Sequence, residues 1–249
     1  MPPRVSLFVT CLADVLFPNI AEDAVRVLRR VGAQVEFPQG QTCCGQPAFN
    51  SGFRREAAQM AQHFIEVFAE AEAIVTPAGS CAAMVRHEYP HLFPADSPWY
   101  SRAQEIASRT YELSQFLVQR MGVSDVGAAF VGKVTWHDSC HLNRVLGIHD
   151  EPRRLLRAVR GLELIEMERS DWCCGFGGTF AVRLPEISTA MMHEKIRHAA
   201  ASGAQALVTA DASCMMHIAG GLRRQGINLP VVHLAQILAG DLPTTLKHG

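Results

Sequence analysis

The cysteines constrain this chain more than any other residue type. All eight fall into two sets of one form: Cys11, Cys43-Cys44 and Cys81, then Cys140, Cys173-Cys174 and Cys214. Within the first set, 31 and 36 residues separate the members; within the second, 32 and 39. A glycine, Gly45 or Gly175, follows each central pair. The likeness reaches past the cysteines, since Ala73-Ile-Val-Thr-Pro-Ala-Gly-Ser-Cys81 matches Ala206-Leu-Val-Thr-Ala-Asp-Ala-Ser-Cys214. Repetition at a nearly constant offset marks a tandem duplication and gives every cysteine one shared purpose.

Adjacency narrows that purpose. A trans peptide holds neighbouring Cα atoms about 3.8 Å apart, whereas bridged cysteines need roughly 4.4 to 6.8 Å, so each pair is read as two separate thiolates. Two successive thiolates converge poorly on a single zinc ion, whose ligands are usually separated by two or more residues. They suit a cluster in which each iron takes its own sulfur. Gly45 and Gly175 fit the same use, because a residue without Cβ permits close backbone approach and its N–H can donate to sulfide or an anion.

His137 and His141 flank Cys140. They are candidates to tune a cluster by donating to its sulfurs, or to carry protons; simple packing is the equal alternative. The exposed-looking Arg54, Arg55 and Arg183 read as solvated helix starts. Zinc in one repeat is the metal alternative that thiolate chemistry keeps open, and a zinc-stabilised binding module is its functional form. No Cys-x-x-Cys of thioredoxin type occurs. Gly175-Phe-Gly-Gly178 follows a cysteine pair rather than opening a helix after a strand, so it is a turn and not a dinucleotide fingerprint.

A net charge of −1 leaves no electrostatic footprint for nucleic acid or anionic lipid. Met1-Pro2-Pro3-Arg4 leads directly into a strand-like segment without a separate leader. No apolar run is long enough to cross a bilayer. The expected setting is the cytoplasm, with membranes approached only through partners, and there cysteines serve as metal ligands or redox groups.

The pattern of apolar residues predicts an α/β fold of two tandem related lobes, each a small parallel sheet flanked by helices. Repeat 1 is expected over residues 1–124, and repeat 2 over 125–249. Strands are expected at 5–10, 35–37, 73–76, 131–136, 162–167 and 206–209. Helices are expected at 20–31, 53–71, 150–161 and 185–201. A further helix over 101–121 is expected to link the repeats. Every cysteine position follows a strand, and ligands of such sheets gather at the carboxyl ends of the strands.

With these motifs in view, the chain resembles the cysteine-rich domain of heterodisulfide reductase B subunits and glycolate oxidase iron-sulfur subunits. Cys43-Cys-Gly-Gln-Pro-Ala-Phe-Asn50, Pro77-Ala-Gly-Ser-Cys81 and Cys173-Cys-Gly-Phe-Gly-Gly-Thr-Phe180 are closer still to the lactate-utilisation protein A family. That resemblance implies a cytoplasmic iron-sulfur protein that oxidises L-lactate to pyruvate together with other redox subunits. A small 2-hydroxy acid is then a candidate ligand of the complex. A hydroxy-acid oxidase or heterodisulfide reductase subunit is the neighbouring alternative. In the heterodisulfide reductase form each repeat closes with two cysteines, whereas here it closes with one. Ala78 and Asp211, or Met84 and His217, stand at the lost positions. Four thiolates suffice for one ordinary 4Fe-4S cluster per repeat.

Overall fold

The structure is a computed structural model and describes residues 2–240. It is α/β, with two four-stranded parallel sheets related by the repeat. In the first sheet β1 (Arg4–Leu7), β2 (Gln34–Glu36), β3 (Ile74–Thr76) and β4 (Thr110–Glu112) lie in the order β2-β1-β3-β4. The second, built from β5 (Ala129–Trp136), β6 (Arg160–Leu164), β7 (Ala206–Thr209) and β8 (Val231–His233), repeats that order as β6-β5-β7-β8. All residues of β3 and β7 are buried, as expected where helices cover both faces of a parallel sheet.

In each sheet the strand order reverses direction between the first and third strands, β1 and β3 or β5 and β7. Such a switch point opens a crevice at the carboxyl ends. Cys11 begins α1 (Cys11–Leu16) after β1, and Cys81 lies in α5 (Gly79–Ala83) after β3, so both flank the crevice.

The other helices are α2 (Pro18–Arg30), α3 (Gln46–Asn50), α4 (Arg54–Val67), α6 (Pro98–Ser108), α7 (Leu113–Gln115), α8 (Asp150–Ala158), α9 (Thr179–Arg183), α10 (Pro185–Ala201), α11 (Ala212–Arg224) and α12 (Leu234–Ala239). One apolar core is shared by the two lobes. It joins Val5, Leu7 and Val75 of the first sheet to Val134, Trp136 and Val208 of the second through Leu28, Leu155 and Ile237. Two outer cores, one per lobe, hold Phe8, Phe64 and Ile74, and Leu207, Met192 and Ile218. Burial of this area, at roughly 25 cal/mol per Å² of apolar surface, makes each lobe depend on the other.

The helix expected over 101–121 is not continuous. α6 ends at Ser108, β4 follows, and α7 runs on through a π turn at Phe116–Arg120. The backbone of Thr110–Glu112 instead extends the sheet beside β3, with Ile74 N donating to Arg109 O at 2.8 Å. A strand of three residues is too short to disturb an apolar helical period, so the sequence pattern ran through it. β4 therefore belongs to the first sheet rather than to a link. Its counterpart β8, with α12 after it, also went unpredicted.

Candidate metal centre

Each sulfur set is assembled by three local devices. A strand end delivers the first cysteine, a loop delivers the pair, and the N-terminal turn of a helix delivers the last. At the end of the pair the backbone turns through Gly45 at φ +87° and Gly175 at φ +89°, a left-handed conformation that only glycine adopts freely. A Cβ on Gly175 would lie 2.5 Å from Ser188 O, and one on Gly45 3.3 Å from Met60 Cβ. The loops are thus pressed against α10 and α4.

The sulfurs touch. Cys11 Sγ lies 3.5 Å from Cys43 Sγ, and Cys44 Sγ 3.3 Å from Cys81 Sγ. In the second set Cys174 Sγ is 3.3 Å from Cys214 Sγ, and Cys173 contacts both Cys140 and Cys174. None of the eight is in a disulfide. Cys44, Cys81, Cys174 and Cys214 are buried, while Cys11, Cys43, Cys140 and Cys173 are partly open. All eight line a single cavity of about 230 Å³ between the lobes.

The S–H of Cys11, then that of Cys44, holds the Cys43 thiol down to about 3. Cys140, then Cys174, hold Cys173 down to about 2. Their neighbours Cys11, Cys44, Cys140 and Cys174 are pushed up, foremost by the adjoining sulfur and next by burial. Like charges at this range repel strongly, so adjoining thiolates disfavour one another. A soft cation that takes several thiolates would release the remaining protons. The donor set therefore suits metal or iron-sulfur binding.

The glycine N–H groups face the same sulfurs. Gly175 N donates to Cys173 Sγ at 3.3 Å, and the Gly45 N–H bonds Cys43. His137 is fully buried, with no close hydrogen bond to either ring nitrogen and only the Ser170 backbone acting on the ring. One of those nitrogens lies within 4.8 Å of the Cys174 and Cys214 sulfurs. Burial lowers the His137 pKa to about 3, so the ring is neutral. His141 lies at the cavity, 3.6 Å from Cys140 Sγ through Nδ1 and 3.3 Å from Gln46 Nε2 through Nε2.

Asp211 and His217 differ in place. Asp211 caps α11, accepting from Ser213 N and Ser213 Oγ, and from Ser80 N of the other lobe at 2.9 Å. Its carboxylate stands on the cavity wall. His217 is half-buried beside Ser188 Oγ, at 3.4 Å, and the Phe176 ring. Ala78, the match of Asp211, offers α5 no side-chain cap. Met84 is buried in the outer core of repeat 1. Arg54 and Arg183 are exposed, and Arg54 stacks on the Phe49 ring at 4.3 Å.

Several residues around the centre carry no motif. Tyr89 Oη donates to Cys44 O at 2.9 Å. Arg153 donates twice to Asp138 at 2.8 Å and also to Glu166, while Trp136 Nε1 and Ser170 Oγ complete the Asp138 shell. Burial opposes ionisation of Asp138, yet Arg153 holds its carboxyl below the usual range. Lys195 is buried with its ammonium on Arg169 O and Ser170 O at 2.7 and 3.0 Å. A lone lysine on an otherwise inward-facing stretch of α10 was the one sequence signal for it.

Among the described residues no helix is long and apolar enough to cross a membrane. The profile of the cysteine-rich domain family matches residues 5–86 and again 134–219, which are the two stretches that carry the sulfur sets. Lactate utilization protein A 2 of Bacillus cereus strain AH820 is 48% identical over 239 residues, covering 96% of this chain and 99% of that protein. The chain belongs to the lactate utilization protein A family. A second member of the family, Lactate utilization protein A of Oceanobacillus iheyensis, is 46% identical over 94% of this chain and 96% of its own. Among solved structures, a glutamate racemase from Bacillus anthracis overlaps 99% of this chain and 82% of its own, at 12% identity and a TM-score of 0.39. That likeness is too remote to bear on function.

Proposed function

We propose that each sulfur set holds one iron-sulfur cluster of the four-iron type, and that the chain passes electrons within a multi-protein complex oxidising L-lactate to pyruvate. The observation that carries this reading is the convergence of eight thiols from two repeats on one cavity. Such a cluster supplies reversible electron transfer. Cys11, Cys43, Cys44 and Cys81 are the ligands in repeat 1 (residues 1–124). Cys140, Cys173, Cys174 and Cys214 are those in repeat 2 (residues 125–249). The Gly45 and Gly175 N–H groups stabilise negative charge on the first sulfur of each pair, and His137 faces the buried sulfurs of the second set.

Lactate enters through the relatives, which are named for its utilisation. Oxidation of a 2-hydroxy acid removes two electrons and needs a suitable acceptor. This sequence carries no flavin or nicotinamide motif, so other redox subunits bring that chemistry, and the setting is the cytoplasm.

Zinc in one repeat is the second reading. It is favoured by the 3.3 to 3.5 Å sulfur contacts, near the roughly 3.8 Å edge of a tetrahedron with about 2.3 Å zinc–sulfur bonds. Iron, acid-labile sulfide and zinc content of anaerobically purified protein separates the two, with paramagnetic resonance before and after reduction. Matching iron and sulfide with a reducible signal supports the first reading. Zinc without sulfide overturns it.

A further inference from the structure

The two sulfur sets are related by duplication, yet the walls behind them differ in kind. In repeat 1 the wall is aromatic. Phe8, three residues before Cys11, stands edge-on to Phe64 of α4 with ring centroids 4.8 Å apart. Both belong to the buried cluster that includes Cys44 and Cys81.

In repeat 2 the residue three before Cys140 is His137. The counterpart of Phe64 follows from what the two glycine turns press against. A Cβ on Gly45 would meet Met60 Cβ at 3.3 Å and Ala57 O at 3.6 Å; one on Gly175 would meet Met191 Cβ at 3.0 Å and Ser188 O at 2.5 Å. Ala57 and Met60 therefore match Ser188 and Met191. Seven residues beyond Ala57 and Ser188 stand Phe64 and Lys195. A Phe–Phe pair in one lobe is thus a His–Lys pair in the other, His137 being 0% and Lys195 1% exposed.

The replacement changes what the sulfurs experience. The Lys195 ammonium is anchored on two carbonyls, and its charge acts on Cys174 and Cys214. His137 brings a ring nitrogen within 4.8 Å of the same two sulfurs. Phe8 and Phe64 offer neither charge nor donor. Two buried carboxylates also lie nearby, Asp138 and Asp211. Arg153 neutralises Asp138 at 2.8 Å. Asp211 bonds Ser80 N beside Cys81 as well as Ser213 N beside Cys214, and its charge acts on Cys140 of the second set, against the effect of Lys195.

Reduction adds negative charge to a group already made anionic by its thiolates. A buried cation and an N–H donor to sulfur raise the potential of such a group, and apolar surroundings lower it. We propose that His137 and Lys195 make the second sulfur set the higher-potential of the two centres, so that an electron held at the first set passes to the second. In that step the first centre is oxidised by one electron, the second is reduced by one, and no bond forms or breaks. Both sets line one cavity, so no carrier is needed between them. The inference rests on the reading of both sets as iron-sulfur sites.

The test is a reductive titration of the reconstituted full chain, followed by absorbance and paramagnetic resonance. Cys43→Ala/Cys44→Ala and Cys173→Ala/Cys174→Ala variants assign each wave to its set. The expected result is a higher midpoint for the second set. Lys195→Gln keeps a donor to the carbonyls and removes the charge. It should shift the electron equilibrium between the sets at least tenfold toward the first, about 59 mV for one electron, without moving the first wave. His137→Phe should shift the equilibrium in the same direction. If Lys195→Gln does not load, the two wild-type midpoints still decide. Equal or reversed midpoints, with iron in both sets, overturn the inference and leave the function standing. Loss of iron from the second set alone in His137→Phe makes that residue a ligand and overturns its tuning role. Absence of iron from both sets in the wild type overturns the function and the inference together.

Discussion

Gly45 and Gly175 hold the same place in the two repeats, yet the contacts around them predict unequal tolerance to change. Either one replaced by alanine puts a Cβ at positive φ, which costs about 1 to 2 kcal/mol. For Gly175→Ala the Cβ would also sit 2.5 Å from the Ser188 carbonyl, a backbone atom of α10 that cannot swing aside. Denaturant unfolding should therefore show a larger loss for Gly175→Ala than for Gly45→Ala, with reduced metal content in the second set. His233 gives a pH signature. It caps α12 by accepting from Ala235 N at 3.1 Å, and burial lowers its pKa to about 4, against roughly 6.5 in an unfolded chain. Below pH 6.5 the unfolded chain binds a proton that the folded one refuses, so stability falls as pH drops toward 4. The loss is of the order of 3 kcal/mol, and His137 adds a change of the same sign. His233→Asn keeps an oxygen for the cap and should flatten this part of the slope in unfolding measured between pH 7.5 and 5.

One of the elements that hold the lobes together, α12, is one that the sequence pattern left unmarked. α12 of the second repeat packs on α2 of the first. There Arg30 Nη1 donates to Leu238 O at 2.9 Å, and Nη2 donates to Ala239 O at 2.8 Å. A guanidinium on these carbonyls satisfies groups that the end of a helix leaves open and complements its dipole. Arg30→Ala should cost about 1 to 2 kcal/mol and speed amide exchange in α12, with β7 unaffected; uniform exchange would count against this role. α12 and β8 were not foreseen because six helical and three strand residues carry too few periods to register. The helix read across 101–121 failed for the related reason that β4 is three residues long. The longer runs of α4 and α10 were legible because each spans several helical turns, and β7 was legible as a short apolar run that matches β3 of the first repeat.

Across the whole molecule the duplication yields two sulfur sets and one cavity. Removing Cys43 and Cys44 should leave about half of the iron and sulfide, and removing Cys173 and Cys174 should leave the other half. Loss of all iron in either variant would mean that the sets share one group. Both variants should keep their far-UV spectrum, because the shared core of Leu28, Trp136, Leu155 and Ile237 lies apart from the sulfurs. By itself the sequence determined the eight thiols, their pairing into two sets and the strand–loop–helix order that carries them to one sheet edge, because these follow from spacing and short-range period. Only the tertiary structure decided that the two edges face a common cavity, that Asp211 of one lobe bonds Ser80 of the other, and that His137 and Lys195 stand where Phe8 and Phe64 stand in the first repeat. Those relations join residues far apart in the chain, and no local period encodes which buried side chain will meet another across a core.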